Sequence, residues 1–359
     1  MFNRVSHLVL LGLCAAIGCQ DGGLPSEAGP ATLAARQADV PIVVMTRNMY
    51  VGGNVDRVIG ALSGITGEDP AAALEAVLQE LYVTHLPARV NALADEIARE
   101  RPTVVALQEV SAISIPFVPY TADFLAALQQ ALLVRGLAYT TYANLNFAFT
   151  NIAGMGIELA DSDVLLVDSG VEVLHSANGT YACPGLCIPG LPGIGDLTRG
   201  WVRVDARIAG KPVTFVGTHP ESGDAGQIPL LRAGQVQALV QELPVDRPVV
   251  LMGDLNDVPG SPMHQVLAAA GFVDAWAAIH PDQQGNTCCF DSNLLTGSLV
   301  KRIDYVMVRG GFTDGTGRLV GGARARLIGA SDAEKLAGPA GAIWPSDHAG
   351  VVVSLPPAR

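Results

Sequence analysis

The sequence has few positively charged residues. Lys and Arg number 22 against 34 Asp and Glu, so the formal charge is −12, and the pI is near 4.9. Proteins that stay on nucleic acid normally bind its phosphates with a broad basic face, and this composition argues against such a face. A nuclease that meets its substrate only briefly is still compatible with it.

The sequence also lacks internal repeats, long charged blocks and any apolar run long enough to span a membrane. Its 359 residues are 49% hydrophobic, which is enough for a sizeable core. Short Val-rich runs alternate with helical patterns and predict one α/β domain over residues 40–359. We expect strands at 42–46, 103–107, 164–167, 201–208, 213–217, 248–252, 303–308 and 350–355. We expect helices at 71–81, 88–100, 122–134, 229–242 and 262–270, and surface loops at the Gly-rich stretches 182–195, 313–322 and 331–341.

The first residues have the pattern of an export signal. Arg4 precedes an 11-residue apolar run from Leu8 to Gly18, so residues 1–18 are predicted to be a signal peptide. The segment from Ala16 to Cys19 is similar to a lipoprotein box, although Ala16 stands where Leu is commonest. It predicts a lipid on Cys19, a flexible tether over 19–39 and a location on a membrane outside the cytoplasm. The alternative is an ordinary signal peptide and a secreted or periplasmic product.

The remaining cysteines form two close pairs. Cys183 and Cys187 can close a small disulfide loop, whereas the adjacent Cys288 and Cys289 need partners elsewhere or a bond to each other. A zinc site with four thiolates is the competing interpretation. Neither pair has the two-residue spacing that is usual in such sites, which disfavours zinc.

Polar residues adjoin the predicted apolar strands. Each taken alone is more typical of a turn or of a buried polar side chain. Together they predict a site along one rim of the sheets. The residues are Asn48, Glu109, His219, Asp254 and Asn256 after strands, Asp304 at the start of a strand, and Asp347 and His348 before the last strand.

The segment from Gly253 to Trp276, GDLNDVPGSPMHQVLAAAGFVDAW, matches a GD-x-N-x-x-P-x-S motif and the helix after it. With KRIDYVMV from Lys301 and SDH from Ser346, the sequence from about 41 to 355 resembles the endonuclease/exonuclease/phosphatase superfamily. That superfamily includes pancreatic-type deoxyribonucleases and bacterial neutral sphingomyelinases. The resemblance implies a four-layer α/β sandwich, in which two packed mixed β-sheets are flanked by helices.

Phosphodiester hydrolysis needs a cation on a phosphate oxygen, an activated water and donors for the developing charge. Glu109, Asn48 and Asp347 are predicted to hold Mg²⁺ or Mn²⁺, because oxygen ligands suit hard cations. His219 and Asn256 are predicted to contact the phosphate, with Arg199 as a further clamp. His348 and Asp254 are alternative bases, and Asp304 is predicted to orient His348. Arg232 and Gln235 are predicted to be surface residues.

The expected activity is hydrolysis of a phosphodiester by a monomeric, metal-dependent enzyme. The favoured substrate is a phospholipid, as for a sphingomyelinase or phospholipase C, and the alternative is an extracellular endonuclease acting on DNA or RNA. Inositol polyphosphates are disfavoured, since extra phosphates call for a dense Lys/Arg cluster. A further hypothesis is a protein of the same fold that binds a ligand without catalysis. The presence of all the predicted catalytic acids and histidines argues against it.

Overall fold

A computed structural model describes residues 41–358 except 65, 119, 153, 184, 192–194 and 315. The predicted signal peptide, Cys19 and the predicted tether lie outside the described residues. Within them, no helix combines the length and the apolar character that crossing a membrane requires.

Strands make up most of the regular structure. The principal strands are β1 Ile42–Asn48, β2 Val104–Ile115, β3 Tyr120–Asp123, β4 Tyr139–Ile152, β5 Ile157–Asp168, β6 Glu172–Thr180, β7 Ile188–Leu191, β8 Gly195–Leu197, β9 Gly200–Ile208, β10 Lys211–Thr218, β11 Val249–Asp254, β12 Val273–Asp274, β13 Cys288–Phe290, β14 Gly297–Lys301, β15 Asp304–Arg309, β16 Arg324–Ile328, β17 Leu336–Gly338, β18 Gly341–Ile343 and β19 Gly350–Leu355. The α-helices are α1 Val55–Leu62, α2 Pro70–Thr84, α3 Leu86–Glu100, α4 Phe124–Val134, α5 Ile228–Glu242, α6 Pro262–Ala269 and α7 Ala275–Ile279.

Two mixed sheets carry the fold. The first is seven-stranded, in the order β16-β19-β1-β2-β5-β4 with β3 beside β2, and the second is six-stranded, in the order β12-β15-β11-β10-β9-β6. Near the middle of each sheet lies a parallel pair, β1 with β2 and β10 with β11. The carboxyl ends of these four strands, with the residues at the start of β15 and before β19, form the cleft described below.

Each central strand is apolar on both faces, because one face meets the other sheet and the opposite face meets helices. Val104 and Ala106 belong to the apolar layer between the sheets, whereas Val105 and Leu107 pack with α3 and α4. In β11 the alternating residues Val249 and Leu251 pack against α5 and α6 in the same way. The layers are therefore helix, sheet, sheet and helix, which confirms the predicted four-layer α/β sandwich.

The predicted helices form close to their expected positions. The face of α3 made by Val90, Leu93, Ala94 and Ile97 is buried in the outer core. Gly136 and Gly271 follow α4 and α6 with φ values of 69° and 80°, the left-handed backbone that commonly ends a helix.

Several elements are not predicted by the sequence patterns. α1, β4 and β6 lack long apolar runs, and β6 is an edge strand whose residues are mostly exposed. Two of the Gly-rich stretches predicted to be loops also contain short strand pairs, β7 with β8 and β17 with β18. These strands form because backbone hydrogen bonding to a neighbour does not require an apolar face.

Candidate active site

The predicted polar residues meet at one rim of the two sheets, around a single cleft of about 380 Å³. Asn48 and Asp304 are almost fully buried and hydrogen-bond to side chains that line it. The other predicted residues contribute directly to the lining, which includes Glu109, Arg199, His219, Asp254, Asn256, Asp347 and His348.

Glu109 reaches the cleft because the ladder between β2 and β5 shifts register between Leu107 and Val110. Its φ is 55°, and Asn256 and Tyr50 have φ values of 54° and 57°. Non-glycine residues rarely adopt this left-handed backbone, and such outliers concentrate at functional sites. The bulge turns the side chain of Glu109 out of the ordinary alternation of the strand.

Gly253, in the predicted motif, permits a close approach of two strands. A Cβ atom at this position would collide with the carbonyl oxygen of Thr218 in β10. The absence of a side chain therefore lets the end of β11 lie against the end of β10. As a result, Oδ2 of Asp254 lies 3.6 Å from Nε2 of His219.

His348 is held between two carboxylates. Its Nδ1 lies 2.8 Å from Oδ2 of Asp304, and its Nε2 lies 3.7 Å from Oδ2 of Asp254. Burial by itself disfavours the charged ring, but the surrounding carboxylates, Asp304 first, outweigh it and raise the pKa of His348 well above its usual range. The proton on Nδ1 is fixed toward Asp304, so Nε2 is the ring atom that faces the cleft.

His219 has the opposite electrostatic environment. Burial, followed by the charges of Arg199 and His348, lowers the pKa of His219 well below its usual range. Two imidazoles whose pKa values are shifted in opposite directions thus flank the same side chain, Asp254. Groups whose pKa values are pushed apart in this way are suited to different proton-transfer roles.

Glu109 and Asp347 form the acidic side of the cleft. Burial and the neighbouring charge of Asp347 raise the pKa of Glu109 to about 7. A bound cation would relieve this repulsion, and the carboxylate oxygens fit a hard ion such as Mg²⁺ or Mn²⁺. Oxygen and nitrogen donors of Asp254, Asp304 and His348 also lie within 4.8 Å of one another.

Asn48 connects the carboxylate of Glu109 with that of Asp254. Its Nδ2 donates to Glu109 at 2.9 Å and to Asp254 at 3.1 Å, while its Oδ1 accepts from the backbone N–H of Tyr50. In this arrangement the amide NH₂, which cannot bind a cation, faces the carboxylates. The structure therefore shows Asn48 as a residue that orients both acids, and its role as a metal ligand stays a prediction.

Arg199 lines the cleft but is already paired. Its Nη2 lies 3.2 Å from Oε1 of Glu221, which is itself buried, and Asp161 is a further nearby negative charge. The positive charge of the guanidinium is thus largely compensated by Glu221 and Asp161. Contact with a phosphate stays a prediction for this residue.

The prediction that Arg232 and Gln235 are surface residues is wrong. Both are fully buried on α5. Arg232 donates to the carbonyl oxygens of Glu221 and Gly223 and bonds to Asp257, and Gln235 accepts from the backbone N–H of Glu221. They were expected outside as polar residues of a helix, whereas the loops after β10 and β11 fold over this part of the helix.

Two other buried arginines were not identified from the sequence. Arg89 donates to the carbonyl oxygens of Met49 and Tyr50, and Arg47 donates to that of His348 and pairs with Glu96. Each fixes loop backbone beside a predicted site residue. An arginine within the apolar run of β1 was the available signal for Arg47, and no comparable local signal marks Arg89.

The model of the Endonuclease/Exonuclease/phosphatase family matches residues 78–348. The chain belongs to this family. The matched range contains Glu109, His219, Asp254, Asp304 and His348, so the cleft is built mainly from the part of the chain that carries the family pattern. Asn48 lies before it.

Solved structures share the fold of this endonuclease/exonuclease/phosphatase family member. An endonuclease/exonuclease/phosphatase from Beutenbergia cavernae DSM 12333 has 20% identity and a TM-score of 0.58, over 89% of this chain and 72% of that chain. A family protein from Leptotrichia buccalis C-1013-b has 13% identity and a TM-score of 0.57, over 88% and 99%. TDP2 from D. rerio, complexed with single strand DNA product, has 17% identity and a TM-score of 0.52, over 88% and 98%. No curated protein matches the chain.

Proposed function

We propose that this protein is a metal-dependent phosphodiesterase. The observation that carries the proposal is the buried Asp304–His348 pair at 2.8 Å, whose other ring nitrogen lies 3.7 Å from Asp254, in the cleft that Glu109 and Asp347 also line. An acid–base pair beside an acidic cation site is the arrangement that hydrolysis of a phosphate ester requires.

Glu109 and Asp347 would hold Mg²⁺ or Mn²⁺. The bound cation would supply positive charge to a non-bridging oxygen of the phosphate. Oδ2 of Asp254 and Nε2 of His348 lie 3.7 Å apart. An attacking water could therefore hydrogen-bond to both atoms at once. One of these two atoms would accept the proton of the water, while Asp304 keeps the imidazole oriented. Asn256 and His219 lie beside them and would contact the phosphate oxygens.

The favoured substrate is a phospholipid. Apart from Arg199 and Lys301, the Lys, Arg, Asp and Glu side chains lining the cleft are all carboxylates, so a long polyanion would meet repulsion beyond the reacting phosphate. The lining also includes apolar side chains that suit the body of a lipid, namely those of Val51, Val55, Ile59, Phe147, Leu159 and Leu197. A single phosphate with an apolar neighbour fits this distribution better than a nucleic-acid strand.

A nucleic-acid substrate is the second candidate. The support is that the D. rerio TDP2 structure, which shares the fold, holds a single strand DNA product. Lys301 supplies one positive charge at the cleft, but a strand would need several such contacts for tight binding. A brief encounter with the strand is the form of this activity that the charge distribution allows.

We also propose that the protein is exported, anchored to a membrane by a lipid on Cys19, and monomeric. The support is the sequence pattern of residues 1–19, and an anchor would keep the cleft near lipid substrates. Cys19→Ser should move the protein from the membrane fraction to the soluble fraction or leave an uncleaved precursor. Wild-type protein found wholly soluble, with an unmodified amino terminus, would rule out the anchor.

One activity screen separates the substrate candidates. Purified protein with Mg²⁺ is incubated with sphingomyelin, phosphatidylcholine, plasmid DNA, RNA and bis-p-nitrophenyl phosphate, with His348→Ala as the matched control. Release of a phosphorylated headgroup, absent in the control, is expected. Cleavage of DNA or RNA alone would select the nuclease, and no hydrolysis of any substrate would contradict the proposed activity.

A further inference from the structure

The wall of the cleft next to His348 is formed by two neighbouring cysteines. Cys288 and Cys289 are bonded to each other, and both line the cleft. Backbone hydrogen bonds hold this segment beside the segment that carries His348. Phe290 N–H donates to the Asp347 carbonyl at 2.8 Å, and Ala349 N–H donates to the Thr287 carbonyl at 2.7 Å.

The sulfur atoms and the imidazole are close enough to share one ion. Sγ of Cys289 lies 3.8 Å from Nε2 of His348, and donor atoms of both cysteines and His348 lie within 4.8 Å of one another. Around a tetrahedral zinc ion with ordinary bond lengths, a sulfur and a nitrogen are about 3.5 Å apart and two sulfurs about 3.8 Å apart. The S–N separation therefore already matches a zinc site, and breaking the disulfide lets the sulfurs move apart.

The environment of the imidazole also suits a metal ligand. Nδ1 of His348 is bonded to Asp304 at 2.8 Å, and metal-bound histidines commonly make such a hydrogen bond through the ring nitrogen that is not bound to the metal. Asp254 belongs to a separate group of donors around His348, so a water oxygen would complete the four ligands. The donor set is two sulfurs, one nitrogen and one oxygen, which favours Zn²⁺ over Mg²⁺.

We propose that reduction of the Cys288–Cys289 disulfide opens a second metal site, which binds a thiophilic divalent cation such as Zn²⁺ through both sulfurs and Nε2 of His348. A dithiol can supply the two electrons and two protons that convert the disulfide to two thiols, and the dithiol itself becomes a disulfide. Zinc then displaces both thiol protons and the proton on Nε2 of His348. Since Nε2 is occupied, the bound ion blocks the proton-transfer atom of the proposed phosphodiesterase, and this last consequence rests on the proposed function.

The test measures bound metal directly. Protein is reduced with a phosphine, freed of reductant without oxygen, exposed to Zn²⁺ and separated from free metal. With excess Mg²⁺ present to occupy the site of Glu109 and Asp347, about one more zinc is expected per reduced chain than per oxidised chain. Co²⁺ in place of Zn²⁺ should give the near-ultraviolet absorption of thiolate bound to metal.

Variants assign the ligands. Cys183→Ser/Cys187→Ser removes the other disulfide and should bind zinc as the wild type does, whereas Cys288→Ser/Cys289→Ser should lose the binding. His348→Ala should weaken it by about tenfold or more. If the serine variant does not fold, alkylation of the reduced wild-type thiols replaces it and should abolish binding. Equal zinc in reduced and oxidised wild type, or binding that survives loss or alkylation of both thiols, would overturn the site whatever the enzymatic activity proves to be.

Inhibition is measured separately, on the best substrate of the activity screen. In excess Mg²⁺, zinc should lower the activity of the reduced protein about tenfold or more relative to the same protein before zinc, and should leave the oxidised protein little changed. Zinc bound at one per chain with full activity retained would overturn the blocking of Nε2.

Discussion

The layer between the two sheets and the rim of the cleft are built by the same strands, yet their chemistry is opposite. In β11, Val250 and Met252 lie in the apolar layer, and Asp254, two residues further on the same face, lies in the cleft. In β10 the same face carries Phe215 and, just beyond the strand end, His219. Side chains alternate with a period of two, so a strand can pass from core to site without any change of direction.

The two regions are also stabilised differently. The layer between the sheets gains from burial of apolar side chains. The rim buries charges, and it keeps them in place through hydrogen bonds from arginines to backbone carbonyls, as for Arg89 and Arg232. Changes in the layer should therefore alter stability first, and changes at the rim should alter turnover first.

The largest effect is expected at the rim. His348→Ala should lower kcat by about 10³-fold or more, or roughly 4 kcal/mol of transition-state stabilisation, because a positioned acid–base group is lost. Asp304→Asn should cost a comparable factor, and the double variant should be little worse than the worse single variant, since the two act as one unit. His175→Ala, at an exposed position of β6, is the control. Multiplicative losses in a folded double variant would show that the pair does not act together.

The matching change in the layer is Phe215→Ala. It should lower the free energy of unfolding by about 3–5 kcal/mol, since it leaves a cavity at a fully buried position. We expect kcat per folded molecule to stay within about twofold, as the cleft is not touched. Denaturant unfolding and kinetics on the same sample measure both quantities, and Val245→Ala, 91% exposed, is the control. A large loss of kcat in Phe215→Ala without loss of stability would contradict the proposed difference between the apolar layer and the rim.

Glu109→Gln tests the acidic side of the rim. Turnover should fall by about 10²-fold and more Mg²⁺ should be needed for half-maximal activity, because a charged ligand becomes neutral. Chelation should abolish wild-type activity, and Mg²⁺ or Mn²⁺ should restore it. Glu158→Gln, at an exposed position of β5, is the control. Full wild-type activity in excess chelator would reject the metal site.

The smallest effect is expected for a motif residue that is structural. Ser261 caps α6, and its Oγ accepts from the His264 N–H at 3.2 Å. Ser261→Ala should lower the free energy of unfolding by about 1 kcal/mol. Ser261→Thr should retain most of the stability that the cap contributes. Turnover should change by less than about twofold. A large drop in kcat with unchanged stability would place Ser261 in the chemistry rather than in the helix cap.

The sequence predicted the α/β class and the positions of the central strands and main helices, because their apolar patterns are local. Through the family motif it also predicted that Asp254, Asn256, Asp304 and His348 belong to one site. Edge strands such as β6 were missed, since little of their surface is buried and no apolar pattern marks them. Gly253 can be recognised in the sequence as part of the motif. The need for a glycine there comes from the close approach of Thr218 in another strand.

Apart from the Asp304–His348 pair, which was predicted, only the tertiary structure decided the partners of the buried polar groups. Period-two alternation favours Gln108 over Glu109 for the cleft, and a register shift reverses that choice. Burial of Arg232 depends on loops that cross its helix, and the contact between Cys289 and His348 joins residues 59 positions apart in the chain. Hydrophobic periodicity is set by neighbours in sequence, whereas hydrogen-bond partners, charge compensation and pKa shifts are set by neighbours in space.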